Sequence, residues 1–310
     1  TTKIFFFIII NFLVSNKILI PMDQTQTDHL KAYGISYSSL KKGVKVDWLI
    51  NYRGGSFMLD ASESIKSKCL IRGVYYEIVN GNDLAEIFSI IESNNMDILV
   101  LDTPAKIAVY SPPGKQPWDD AVTLALTYAE VEYDVIFDDE ILSGDLSKYD
   151  WLHLHHEDFT GQYGKFYKNY NKRAWYKQME SDFNFTANKY GFSSVHNLKK
   201  DIAFKIKQYM SNGGFVFAMC SATDSFDIAL SALNVDIAHQ VFDGTGIDPN
   251  YNTKLNYHNC VAFENFELYT DPMIYEYSTI DLPPGHKPVA KGAEEDYFTL
   301  FEFSAKYDPV

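Results

Sequence analysis

The chain has 310 residues, more than the roughly 100 to 200 of one typical domain, and its 46% hydrophobic and 22% charged composition supports a packed core rather than disorder. A net charge of -14 and a pI near 4.9 exclude a phosphate backbone as the expected partner, because such binding rests on Lys and Arg neutralising phosphates. Aromatic residues reach 15%, with 22 Tyr and 22 Phe, which fits filled cores or a sugar- or peptide-binding surface.

The N-terminus, TTKIFFFIIINFLVSNK, has a Lys, an apolar run from Ile4 to Val14, and then polar residues. That run is too short to span a bilayer but has the form of a signal-peptide core, so residues 1–16 are expected to be a leader. A periplasmic or secreted protein with no stable membrane span after leader removal follows. The three cysteines, at 69, 220 and 260, match neither a disulfide framework nor a zinc pattern.

KILIPMD reads as a strand, Thr27 to Lys42 as a helix and Asp47 to Tyr52 as the next strand, a β-α-β order that predicts a parallel sheet. A helix over Asp83 to Ser93 and a strand over Met96 to Asp102 continue the pattern. Residues 17–104 are therefore expected to form an N-terminal α/β region, with residues 105–310 forming a second domain.

In that second domain, KIAVY is read as a strand, and Trp118 to Glu130 as a helix with Pro117 at its start. YDVIFD and YDWLHLH are further strands. An aromatic stretch at about 159–196 reads as an insertion or lid. A helix over Asn197 to Asn212 ends at Gly213 and Gly214, where glycine makes a left-handed cap easy. The strand FVFAMC and a helix from about Thr223 to Leu233 follow. This order predicts an α/β protein with a flavodoxin-like parallel sheet, and ligands of such sheets bind beyond the carboxyl ends of the strands. A further C-terminal segment is expected past KYDPV.

Two polar clusters fall at such ends. In GGFVFAMCSATDSFD, Cys220 sits between a strand and a helix with Ala218 and Ala222 two residues to either side, the small-residue spacing of a nucleophile elbow. A helix N-terminus behind the sulfur favours thiolate, and the Ser221 amide is placed to stabilise an oxyanion. The other cluster, WLHLHHEDFTGQYGKF, offers His156 and Glu157 as acid and base, and His155, Asp158 and Gly161 as substrate contacts. His153 and His155 share a strand face, a spacing that metal sites use, but no second ligand set accompanies them, so no metal and no cofactor is expected. His239, His258 and His286 are downstream candidates for the base. Arg53, Gly54 and Gly55 form a turn that could hold an anion.

The strand–Ala–Cys–Ser–Ala–helix segment resembles the class I glutamine amidotransferase-like superfamily over roughly residues 106–233, with Ala in place of both glycines of G-x-C-x-G. The phrases IPMDQTQTDHLKAYG, VDWLINYRGGSF, HLHHEDFTGQYGKF and FAMCSATDSFD also resemble a bacterial family labelled asparagine synthetase B-like. The first resemblance implies an amidohydrolase or amidotransferase acting through Cys220, which the leader would export. The second implies glutamine-hydrolysing asparagine synthesis, although an N-terminal catalytic Cys and an SGGxDS loop are absent. A non-catalytic module that binds a small molecule, sugar or peptide on the same fold is the alternative.

Overall fold

The computed structural model describes residues 16–112, 121–281 and 283–286, so the leader, Pro117 and Trp118 lie outside the described residues. The chain divides into two compact units. Among the described residues, one holds 16–104 with 124–131, and the other holds the stretches that begin at Ala105 and Glu132.

The first unit runs β1 (Lys17–Ile20), α1 (His29–Leu40), β2 (Val46–Ile50), β3 (Ser56–Asp60), α2 (Glu63–Arg72), β4 (Glu77–Val79), α3 (Gly81–Ser93) and β5 (Asp97–Leu101). Its sheet has the order β4-β1-β3-β2-β5, and every neighbouring pair is antiparallel. The parallel sheet expected for 17–104 is therefore corrected. β1 and β2 do point the same way across α1, but β3 folds back from β2 and inserts between them. With β3, α2 and β4 the order is that of a split β-α-β plait.

Alternation along β1 explains the two layers. Ile18 and Ile20 face α1 and α2 with Ile35, Phe57 and Cys69, while Leu19 faces α3 with Met58 and Ile87. Burial pushes the Cys69 thiol up to about 11, so this cysteine is core.

The second unit opens with β6 (Ile107–Tyr110). α4 (Ala121–Ala129) follows, most of it grouped with the first unit, and then come β7 (Tyr133–Ile136), α5 (Asp138–Leu142) and β8 (Trp151–Leu154). After α6 (Tyr167–Tyr170), α7 (Ala174–Lys189) and α8 (Val195–Ser211), β9 (Phe215–Ala218) leads into α9 (Ser221–Ser231). The short helices α10 (Gln240–Asp243) and α11 (Tyr251–Lys254) lie beyond. Here the sheet is parallel, in the order β7-β6-β8-β9.

Ser194 caps α8 by accepting from the Asn197 N–H, and the helix stops at Asn212 before Gly213, whose φ is 96°. Between those ends Leu198, Ile202 and Ile206 recur at the i, i+4 spacing and pack on Ala108, Leu152 and Leu154 of the sheet. The aromatic stretch at 159–196 is not a lid over this core but part of it: Phe159 and Tyr176 are fully buried and Tyr163 nearly so. Other rings of the stretch, such as Phe185, Tyr170 and Tyr190, are exposed. No helix among the described residues is long and apolar enough to cross a membrane.

Candidate functional site

β8 and β9 are parallel neighbours, so the segments that leave their carboxyl ends emerge side by side. The Met219 N–H extends the ladder by donating to the Leu154 carbonyl at 3.0 Å. The backbone then turns sharply at Cys220, with φ 50° and ψ -140°, a conformation that L residues adopt only under strain. α9 starts at the next residue. The Ala222 N–H reaches the His155 carbonyl at 3.3 Å, and Ala222 is fully buried where the two segments cross. A larger side chain has no room there, which explains the small residue two positions after the cysteine. Cys220 itself is exposed. The Ser221 N–H, first of the helix, has no acceptor among the described residues and joins the positive end of the helix dipole.

The neighbouring loop is stitched to α9. Ser225 Oγ donates to the Glu157 carbonyl at 3.0 Å and accepts from the Phe159 N–H at 3.4 Å, and Glu157 Oε2 accepts from the His155 N–H at 2.8 Å. Glu157 is buried, whereas His155 and His156 are half-buried, their rings 4.6 Å apart between centroids. His153, on the same strand face as His155, stacks on Phe217 at 5.6 Å. No cluster of three metal-ligating side chains occurs among the described residues.

Several residues expected to contact a ligand also hold the chain. Asp158 closes its own turn, accepting from the Thr160 N–H at 2.7 Å, Thr160 Oγ1 at 2.6 Å and the Gly164 N–H at 3.0 Å. Gly161, at φ 73°, lets the loop pass α8, because an added Cβ would lie 2.5 Å from His196 Cα. Arg53 lies in the first unit, bound to Asp23 at 2.7 Å and Glu77 at 2.9 Å, so its charge is neutralised within the chain. Arg53 holds the Asp23 carboxyl down at about 2, although partial burial opposes the shift. Gly54 carries φ 81°, and an added Cβ would lie 2.5 Å from the Met22 carbonyl oxygen. Arg53, Gly54 and Gly55 thus build the β2–β3 turn.

Of the downstream histidines, His239 caps α10 by accepting from the Val241 N–H, while His258 and His286 are exposed. None hydrogen-bonds Cys220 among the described residues. Other buried polar groups lie at this end of α9. Asp224 is the fourth residue of α9, in its first turn. Asp224 is 5% exposed and its Oδ1 accepts from the adjacent Ser225 N–H, while Oδ2 has no hydrogen-bond partner among the described residues. Burial, reinforced by the Asp281 and Asp158 carboxylates, pushes its carboxyl up to about 7. Tyr275 and Tyr277 lie within electrostatic reach of both Cys220 and Asp224, and burial raises both phenols. The Tyr277 hydroxyl is also without a partner among the described residues. Lys165, buried at φ 58°, donates to the Tyr269 carbonyl at 2.6 Å, and burial lowers its ammonium to about 8. The sequence signal for Asp224 was its place in MCSATD, one helical turn past the cysteine; Tyr275, Tyr277 and Lys165 are brought in by tertiary folding alone.

A cavity of about 50 Å³ opens beside this edge, lined by Pro112, His156, Glu157, Asp158 and Lys199, with room for a few water molecules. The larger cavity, about 480 Å³, lies at the opposite, amino ends of β8 and β9, beside Tyr149, Asp150 and Gly213. Beneath the site, Lys199 Nζ sits 2.8 and 2.9 Å from the two Asp138 oxygens and 2.9 Å from the Tyr110 hydroxyl, all three groups buried. No protein-family model, curated protein or solved structure matches the chain.

Proposed function

We propose that the second unit is a cysteine-dependent amidohydrolase of the glutamine amidotransferase-like kind, exported by the leader at 1–16, with Cys220 as nucleophile. The single observation that carries this reading is the backbone of Cys220: a non-glycine residue at φ 50° and ψ -140°, exposed, between a parallel strand and a helix. Strain of that kind persists where it holds a side chain out for use. The strand order supports the same reading. Numbered within their own sheet, β6 to β9 take the order 2-1-3-4, the first four strands of a flavodoxin-like sheet, and β9 then delivers Cys220 to the carboxyl edge where such sheets bind ligands.

In the reaction the Cys220 sulfur attacks an amide carbonyl. The Ser221 N–H and the positive end of α9 stabilise the oxyanion, and the amine leaves with a proton. Water then hydrolyses the thioester. Iodoacetamide labelling at pH 7, read by peptide mass spectrometry, tests the assignment. Cys220 should react at least tenfold faster than free cysteine in the same buffer, since the strained turn holds its sulfur exposed at the amino end of α9. A rate equal to or below that of free cysteine overturns the reading.

A further inference from the structure

β9 stands at the end of the parallel sheet, and the chain runs from it through Met219 into Cys220. Its ladder to β8 uses alternate residues: the Phe215 N–H donates to the Asp150 carbonyl and the Met219 N–H to the Leu154 carbonyl, both at 3.0 Å. By the alternation of a strand, the N–H and C=O groups of Val216 and Ala218 point the other way, along the outer edge. No strand pairs with that edge among the described residues. The side chains beside it are apolar and uncovered. Phe215, Phe217 and Met219 recur at every second residue, so they share a face, and they are 58, 47 and 38% exposed. Sheets ordinarily protect such an edge with a charge, a proline or a bulge. The other three edge strands each carry a carboxylate, Glu77 in β4, Asp97 in β5 and Asp134 in β7, whereas FVFA carries none. The one edge without such a guard is the edge that leads to the strained, exposed cysteine.

We propose that this edge binds the substrate, an extended peptide that adds to the sheet as a further strand beside β9 and brings one of its own amide bonds to Cys220. That the peptide is the substrate rests on Cys220 being the nucleophile; that it binds rests on the edge alone. The outward N–H and C=O groups alternate along β9, and another polypeptide backbone matches that alternation residue by residue. Phe215, Phe217 and Met219 offer an apolar surface to every second side chain of such a strand. A strand laid beside β9 runs about 4.8 Å from it and advances about 3.3 Å per residue, so the peptide bond one or two residues past the partner of Ala218 lies level with Cys220. A second copy of the chain offers the same backbone, but two bodies of net charge -14 repel one another. The same charge attracts a peptide that carries basic residues. In the reaction the sulfur bonds to the peptide carbonyl carbon, the carbon–nitrogen bond breaks with its electron pair on nitrogen, and the thiol proton leaves on the amine. Water then adds at the thioester carbon, the carbon–sulfur bond breaks and a proton from water returns to sulfur. Peptide plus water thus gives an acid and an amine with no further reactant.

The test is the rate at which acetyl-Lys-Val-Thr-Val chloromethyl ketone alkylates Cys220 in the full chain, read by peptide mass spectrometry. Two further forms of this probe carry N-methyl groups, each on one of the two alternate sets of its amides. In a strand one set faces β9 and the other faces solvent. Methylating the facing set removes hydrogen bonds to the outer edge and should slow labelling about tenfold, while methylating the other set leaves the rate within about twofold. Val216→Pro, with its fold checked by circular dichroism, should slow the unmethylated probe by a similar factor, because proline lacks the outward N–H and is tolerated on an edge. Should that variant unfold, the methylated probes on the unaltered chain decide. Equal rates for all three probes overturn the proposal, and iodoacetamide labelling faster than that of free cysteine then leaves the nucleophile standing. Iodoacetamide labelling no faster than free cysteine overturns the substrate assignment. In that event slower exchange of the Val216 and Ala218 amide protons on adding acetyl-Lys-Val-Thr-Val amide preserves the edge as a peptide site. Amide protons at Val216 and Ala218 that already exchange slowly in the free protein mean that the edge is covered by the chain itself or by a second copy, and overturn the proposal.

Discussion

Replacing Asp224 with Asn should make the protein more stable at alkaline pH while leaving it unchanged in acid. A carboxyl that titrates at about 7 rather than near 3.8 keeps its proton in the fold at pH values where the unfolded chain has released it. Its stabilising contribution is therefore fully present below about 3.8 and is lost as pH rises through about 7. At about 1.4 kcal/mol for each tenfold change in proton affinity, the ionised carboxylate carries a cost of about 4 kcal/mol at pH 8. Asparagine has nearly the same shape, keeps an oxygen for the Ser225 N–H that Oδ1 now accepts at 2.8 Å, and never ionises. Burying its amide recovers less than the full cost, so a gain of about 2 to 4 kcal/mol is expected at pH 8 and about none at pH 4. Urea unfolding of both proteins at several pH values between 4 and 8, followed by Trp fluorescence, gives the difference directly. A difference that stays constant across that range, or an Asn variant less stable at pH 8, refutes the reasoning.

Cys220→Gly should gain about 1 kcal/mol in thermal unfolding, because glycine adopts φ 50° and ψ -140° without strain; a clear loss would mean the turn is relaxed. Lys199→Met should cost about 3 to 5 kcal/mol by leaving Asp138 buried without its cation, and adding Asp138→Asn should restore most of it; additive losses in that double-mutant cycle contradict the pairing. Asp227→Ala should cost about 2 to 3 kcal/mol and release amide protons at Val261, Ala262 and Phe263, whose N–H groups donate to the Asp227 carboxylate at 2.7 to 2.8 Å; unchanged hydrogen exchange there would disprove the role.

What could be read from sequence follows from how locally each feature is determined. The four strands of the parallel sheet are apolar runs flanked by turn residues, and KIAVY, YDVIFD, YDWLHLH and FVFAMC correspond to β6 to β9. The first sheet was misread because β3 follows β2 through the glycine turn at Gly54 and Gly55, and SFMLD lacks the alternation that marks a half-exposed strand: its first four residues are all buried, between helices on both faces. Strand direction is a property of pairing, which a β-α-β order does not fix when a third strand can insert between. At the site, Cys220, Ser221 and the His155 to Asp158 loop were legible because each lies at the end of its own strand. The buried Asp224 was not, since only burial separates it from an ordinary exposed helix aspartate.

One helix organises this end of the molecule, and how its polar groups are compensated distinguishes structure from chemistry. α9 buries Asp224, Ser225 and Asp227 at 5, 0 and 1% exposure, a composition that propensity and hydrophobic burial both oppose. Ser225 is answered by the 157–159 backbone, and Asp227 by three N–H groups of the 261–263 turn, so both tie loops to the helix. Asp224 is answered on one oxygen alone. In a protein whose net stability is only of order 10 kcal/mol, a buried carboxylate left half-satisfied and uncharged until neutral pH is a large standing cost. Local conflicts of this size are expected where a sequence serves function rather than fold. The turn that leads into the same helix carries a second such conflict, the strained backbone of Cys220, four residues before Asp224.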